Sequence, residues 1–147
     1  MTRCHPLAEF GRADGVTAGA GSGTALVFKP IPSEAMLDAA LRDAGGRPVM
    51  LDFYADWCVS CKEMERLTFS APQVAARLGA GVLPAVLLKA DVTANTEAHR
   101  ALMRRFKLFG PPGTLFFDAQ GHEVVAARVA GCQGARRFAD TLGTAGL

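Results

Sequence analysis

The sequence predicts an α/β domain: a central mixed β-sheet with helices on both faces. Two observations carry that expectation. Nearly continuous apolar runs of strand length occupy residues 48–55 and 82–92, each followed by a helical segment, and two later strands meet at the turn Asp118-Ala119-Gln120-Gly121. Unbroken apolar strands are those covered on both faces, and strands alternating with helices before a hairpin give parallel and antiparallel pairs in one sheet. The chain has 147 residues, 50% of them hydrophobic and 20% charged, which suits one domain with one core.

In chain order, residues 11–25 read GRADGVTAGAGSGTA, with glycines at 11, 15, 19, 21 and 23. So little apolar surface cannot order itself, so residues 1–25 are expected to be a flexible tether and 26–147 the domain. Ser33 can cap a helix starting at Glu34 that places Met36, Leu37, Ala40 and Leu41 on one face and ends at Gly45-Gly46. The strand at 48–55 (PVMLDFYA) carries one anomaly, Asp52. Residues 59–69 have helical composition, and 71–78 add a further turn or two after a break at Ser70 and Pro72. There follow a strand at 82–92, a helix at 96–106, strands at 114–118 and 123–129, and a closing helix at 135–142. The order is α, β, α, β, α, β, β, α.

Composition excludes several functions. A net charge of +2, from 16 basic and 14 acidic residues spread along the chain, leaves no basic stripe for nucleic acid and no acidic tail. The longest apolar stretch, starting at Val82, is interrupted by Pro84 and ended by Lys89, far short of the roughly 20 residues that span a bilayer. No direct membrane insertion is expected, and a monomer is. No apolar segment follows Met1-Thr2-Arg3-Cys4-His5-Pro6, so no secretory signal peptide is expected.

The chemistry lies in cysteine spacing. Cys58-Val59-Ser60-Cys61 is the only C-x-x-C, while Cys4 and Cys132 stand far from it and from each other. At a strand-to-helix junction the first thiol meets unpaired backbone N–H groups and the positive end of the helix dipole, which favour thiolate. Cys58 is then the attacking sulfur, and Cys61 is placed to resolve the mixed disulfide. A half zinc site is the alternative, but His5, His99 and His122 are isolated, so no metal is expected. No cofactor is expected either, because the Cys58–Cys61 dithiol itself carries two electrons.

Asp52 sits in a strand read as buried, where a carboxylate is costly without a role or a partner; a satisfied core acid is the plain alternative. Glu65 follows Cys61 by four residues and Cys58 by seven, so on a continuous helix the three share a face, although alone it reads as a surface glutamate. Trp57 immediately precedes Cys58, where its indole could cover the sulfur and meet a partner, or could simply belong to the core. Gly110-Pro111-Pro112-Gly113 reads as a turn.

YADWCVSCK after an apolar strand resembles the thioredoxin superfamily. The combination VMLDFYADWCVSCKEMERLTFSAPQV, ADVTAN, FGPPGTLFFD and ARVAG resembles, more narrowly, the C-terminal domains of the DsbD family of bacterial membrane thiol:disulfide interchange proteins, over residues 28–142. That resemblance implies a thioredoxin fold and a protein-disulfide reductase. It implies a relay that takes electrons from a transmembrane domain and passes them to an N-terminal domain of the same parent. Its partners would be protein thiols and disulfides, its location periplasmic as a domain tethered to an inner-membrane protein, and its setting electron transport and cytochrome c-type biogenesis. Two alternatives remain: a stand-alone thioredoxin-like reductase, for instance in cytochrome c maturation, and a thioredoxin-fold binding module whose cysteines only stabilise it.

The same resemblance assigns roles. Asp52 would exchange a proton with Cys61, and Glu65 would be a second acid whose charge raises the thiol pKa. Trp57, Pro111 and Pro112 would dock partners, with Pro112 cis and facing the dithiol. Pro111 has no N–H to give a bound chain, though its carbonyl can accept. Gly113 stands where threonine is usual, which is expected to leave the loop less restrained. Tyr54 and Asp56 belong to the resemblance with no assigned step. Cys132 is expected to be a small buried apolar residue, with a third thiol near the site and a bridge to Cys4 as alternatives.

Overall fold

The computed structural model describes residues 26–79 and 84–147. The tether expected at 1–25, and the first positions of the strand expected at 82–92, lie outside the described residues. The elements are β1 (Lys29–Pro30), α1 (Glu34–Asp43), β2 (Val49–Tyr54), α2 (Val59–Glu63), a π-helical segment (Met64–Phe69), α3 (Pro72–Gly79), β3 (Val86–Asp91), α4 (Glu97–Arg105), β4 (Gly113–Phe117), a 3-10 turn (Val125–Ala127), β5 (Val129–Ala130) and α5 (Ala135–Thr144). They form one five-stranded sheet in the order β1-β3-β2-β4-β5, with β2 parallel to β3 and antiparallel to β4. The expected mixed sheet flanked by helices is what the chain forms.

All six residues of β2 are buried, as an unbroken apolar run requires. Alternation along the strand sends them to two cores. Val49, Leu51 and Phe53 pack with Leu37 and Ala40 of α1 and Leu102 of α4. Met50 packs with Met64 and Phe69 of the π segment, Val74 and Leu78 of α3, and Phe138 and Leu142 of α5. On that side Phe138 bridges Phe69 and Phe116, with ring centroids 5.3 and 6.1 Å away.

Helix starts follow the capping chemistry. Ser33 accepts the Met36 N–H at 3.3 Å, and Gly45 and Gly46 turn the chain out of α1 at positive φ. Met36 is exposed, so the buried face of α1 is narrower than expected. In α4 Thr96 accepts the His99 N–H while His99 Nδ1 accepts the Thr96 N–H, so a histidine completes the reciprocal cap usually made by glutamate or glutamine.

Three features depart from the sequence reading. The helix expected at 59–69 is α-helical only to Glu63 and then widens into π geometry. The strand expected at 123–129 is reduced to a bridge at Phe117–Glu123, the 3-10 turn and two residues of β5. Across that stretch the Arg128 guanidinium holds both Glu123 carboxylate oxygens and the Phe106 carbonyl, at 2.6 to 2.9 Å. Finally, β1 adds a parallel edge at Leu88–Lys89, where Pro30 is tolerated because an edge strand has a side without a ladder.

Phe138→Ala should destabilise the fold by about 3–5 kcal/mol, the range for removing a fully buried phenylalanine. Urea unfolding would measure it as a lowered midpoint at unchanged slope. A loss below about 1 kcal/mol would show that the aromatic trio does not hold α5 to the sheet.

Candidate active site

β2 ends at Tyr54, and the chain turns through Ala55, Asp56 and Trp57 before α2. The Cys58 N–H closes that turn on the Ala55 carbonyl at 3.0 Å. Cys58 is the N-cap of α2, and its sulfur accepts the Cys61 N–H at 3.2 Å. The sequence placed the dithiol at a strand-to-helix junction, and there it lies. Cys58 and Cys61 form a disulfide, with Cα atoms 5.3 Å apart. Both are buried, Cys61 the more deeply, with its sulfur 3.8 Å from the Phe53 carbonyl oxygen. Around them Trp57 is 62% exposed and Val59 66%, so the tryptophan is no core residue and an apolar rim surrounds the less buried sulfur.

A second loop fixes the turn. The Thr93 hydroxyl accepts the Asp56 N–H at 2.9 Å and donates to Asp91, whose carboxylate also accepts the Thr93 N–H. The Trp57 indole N–H points at the Thr93 carbonyl, 3.4 Å away. Tyr54 donates its hydroxyl hydrogen to Asp56 at 3.0 Å. The two residues before Cys58 are therefore held from the C-terminal end of β3. Sequence reasoning passed over Thr93, although it lies within ADVTAN.

Asp52 is 4% exposed, on the sheet face that carries Met50. Its register neighbours are Lys89 on β3 and Thr114 on β4. Burial first, and then the Glu65 charge, push its carboxyl up to about 8, with Lys89 pulling the other way. Glu65, half-exposed on the π segment, pairs with Lys89 at 2.5 Å, and the Lys89 ammonium also sits 3.8 Å from the centre of the Tyr54 ring. Glu65 thus stands close enough to act on Asp52, with its charge partly met by a lysine that the sequence reading left inside an apolar run. Thr114 is fully buried, and its hydroxyl oxygen has no hydrogen-bond partner.

The Pro111–Pro112 peptide is cis. Gly113 pairs with Phe53 and opens β4, so the two prolines lie just beyond the end of β2, beside the turn to Cys58. The Pro112 carbonyl accepts the Gly131 N–H at 3.0 Å. The expectation that Gly113 loosens this loop is corrected: Leu108 fills the space, and a Cβ at Gly113 would meet its methyl carbons at 3.0 and 3.3 Å. Cys132 is corrected too, since it is half-buried and already engaged in a disulfide, neither a third free thiol nor a simple apolar filler. Cys4 lies outside the described residues. Among the described residues no three His, Cys, Asp or Glu side chains are placed to hold a metal ion, and no helix is long and apolar enough to cross a membrane.

Comparison with known proteins agrees with this geometry. Residues 37–146 match the family model of the thioredoxin-like domain. The chain is 52% identical over 141 residues to the thiol:disulfide interchange protein DsbD of Ralstonia nicotianae, covering 94% of this chain and 22% of that protein. It is similar to the C-terminal domain of Neisseria meningitidis DsbD in its oxidised form, at 38% identity and a TM-score of 0.55, covering 73% of this chain and 87% of that one. A thioredoxin from Thermus thermophilus aligns with a TM-score of 0.60 at 25% identity, covering 83% of this chain and 89% of that one. The chain thus spans about a fifth of the length of the curated relatives it matches.

The raised Asp52 pKa makes stability depend on pH with a definite sign. A carboxyl that titrates near 3.8 when unfolded and at about 8 when folded stabilises fully below the lower value. That stabilisation is lost as pH rises through the higher one. Asp52→Asn removes the dependence. Between pH 4 and 8 the protein should lose stability relative to D52N at up to about 1.4 kcal/mol per pH unit, measured by urea unfolding of the disulfide form. Asp38 and Glu97, held low by Arg105 and by Arg104 and Arg100, act with the opposite sign at more acid pH and cancel in the difference. Parallel curves across this window would show that Asp52 is ionised in the fold.

Proposed function

The chain belongs to the thioredoxin-like family, alongside the C-terminal domains of DsbD proteins, and on that basis we propose that it is a protein-disulfide reductase working by thiol–disulfide exchange at Cys58 and Cys61. The observation that carries this reading is the disulfide at a helix N-cap, with its second sulfur buried above a strand that holds a protonatable acid.

In the reduced form the Cys58 thiolate attacks one sulfur of a partner disulfide. The partner's S–S bond breaks, its other sulfur leaves as a thiolate and takes a proton, and a mixed disulfide joins Cys58 to the partner. Cys61 then gives its proton to Asp52 and attacks Cys58. The mixed disulfide breaks, the partner's second sulfur leaves as a thiolate and takes a proton from water, and the two electrons have passed from the Cys58–Cys61 pair. Re-reduction runs the steps backwards: a donor thiolate opens the disulfide at Cys58, and Cys61 leaves with the proton held on Asp52. A carboxyl that titrates at about 8 carries that proton at neutral pH. In this scheme Glu65 biases Asp52, and Lys89 moderates Glu65.

Trp57 and Val59 offer apolar contact beside the more accessible sulfur. The cis Pro111–Pro112 loop lines the other side, where Pro111 leaves a partner chain a carbonyl to bond and no N–H. Length supports a larger setting. A domain spanning about a fifth of its DsbD relatives fits a relay in which this unit takes electrons from a transmembrane domain and hands them to an N-terminal one in the periplasm.

Two experiments test the proposal. The reduction potential of the pair, titrated in dithiol buffers and followed by fluorescence of Trp57, the only tryptophan, should fall at roughly −200 mV or lower, and a value near about −120 mV would reverse the proposed direction. Cys58→Ser should abolish exchange, whereas Cys61→Ser should still attack and accumulate mixed disulfides visible on non-reducing gels. If C58S keeps its partner affinity and the parent chain shows no exchange, the domain is a binding module.

A further inference from the structure

Among the described residues Thr114 Oγ1 is the one buried side-chain polar atom without a hydrogen-bond partner. A hydroxyl loses its hydration in such a place, and native interiors rarely leave one unmet. Its location gives the reason. Thr114 stands directly opposite Asp52 in the antiparallel pairing of β2 and β4. Directly paired residues project to the same face, with Cβ atoms about 4.5–5.5 Å apart, so a hydroxyl on one reaches a carboxyl on the other by a rotation about its own χ1. Asp52, for its part, is 4% exposed, and its carboxyl titrates far above the ordinary value because of that burial.

We infer that Thr114 is a positioning residue for Asp52: its hydroxyl is the reserved donor for the Asp52 carboxylate, taken up when that carboxyl has lost its proton. The inference rests on the proton exchange between Asp52 and Cys61 proposed above. In the disulfide form the acid keeps its proton and offers only a neutral oxygen, a weaker acceptor than a carboxylate, and the hydroxyl stands unpaired. Once Asp52 has passed the proton to the departing Cys61, a buried carboxylate remains with little solvent around it. The charges acting on it are few: Glu65 from the π segment repels it, and Lys89 from β3 attracts it but is already paired with Glu65, while Cys61 is the proton partner proposed above. β4 supplies only the neutral Thr114, whose O–H can donate a charge-assisted bond, the stronger kind. The bond is stronger to the ionised carboxyl than to the neutral one, so it eases the release of the proton.

The test is the titration of the Asp52 carboxyl in the full chain, followed by carbon NMR in the reduced and disulfide states. Thr114→Val keeps the shape and removes the hydroxyl, while Thr114→Ser keeps the hydroxyl. T114V is expected to raise the Asp52 midpoint by about one pH unit, a tenfold shift, and to move the limb of the exchange pH profile that follows it by the same amount. T114S is expected to titrate like the unaltered protein. An unmoved midpoint in T114V would overturn the inference, as would a T114S midpoint that moves with that of T114V, since the effect would then be packing. Should T114V not fold, T114S against T114A makes the same comparison. The NMR titration needs no turnover, so it separates two failures: a shifted midpoint in a chain without exchange activity leaves this contact standing and removes the proposed function, and normal exchange with an unmoved midpoint does the reverse.

Discussion

The architecture depends on one constraint: β2 is buried on both faces and carries a carboxyl in its middle. Burying a strand on both faces needs two helical layers, one on each side of the sheet, and the two cores that diverge from alternate residues of β2 are those layers. Once they are in place, Asp52 is only 4% exposed and must hold a proton or find a compensating charge. The residues around Asp52 answer to that: Lys89 in register on one side, Thr114 in register on the other, and Glu65 on the π segment paired with Lys89. An asparagine at position 52 would relieve the strand but would have no proton to exchange.

The widening of the helix after Glu63 belongs to the same arrangement. An unbroken α-helix would carry Glu65 on the same face as Cys58 and Cys61, one turn above the buried sulfur, where its charge would oppose the thiolate directly. In π geometry the residues after Glu63 turn less per position, so Met64, Thr68 and Phe69 reach the core while Glu65 stays half-exposed against Lys89. The carboxylate then acts on Asp52 at one remove, through a paired and partly solvated charge. Thr68 secures the segment by donating to the Gln133 carbonyl at 2.7 Å, which ties the π turns to the approach to α5.

How much of this was legible in the sequence follows from how local each signal is. β2 could be read because a six-residue apolar strand declares itself, and the start of α1 because Ser33 caps it through a contact three residues long. The C-x-x-C could be placed at a strand-to-helix junction for the same reason. Lys89 was hidden because a single lysine in VLLKAD looks like noise within a buried strand, and its partners lie 24 residues away at Glu65 and 35 away at Tyr54. The second hairpin strand was misread because alternation in 123–129 cannot reveal that Arg128 will bind Glu123 and Phe106 instead of leaving its neighbours to the ladder. Gly113 was read as a loss of restraint, yet it lies within the ladder between Phe53 and Ala130 with Leu108 packed against it, contacts that are distant in sequence or set by the tertiary fold.

The two sulfurs are treated differently by the same scaffold, and that difference is what a directional exchange requires. Cys58 is an N-cap, served by a backbone N–H and the dipole of α2, and it sits at the apolar rim made by Trp57 and Val59. Its place at the helix N-terminus favours a negative charge on it when the disulfide opens. Cys61 lies inside the helix against the Phe53 carbonyl, an oxygen that attracts a thiol hydrogen and repels a thiolate. For that sulfur the proton must be removed or supplied by a neighbour at the moment of bond exchange. An acid that titrates near neutrality serves both directions, whereas one at its ordinary value would be too weak a base to accept the proton and too seldom protonated to return it. Burial of β2 sets that value, so the fold's most conspicuous cost, a carboxyl in its central strand, is also what supplies the proton carrier of the proposed exchange.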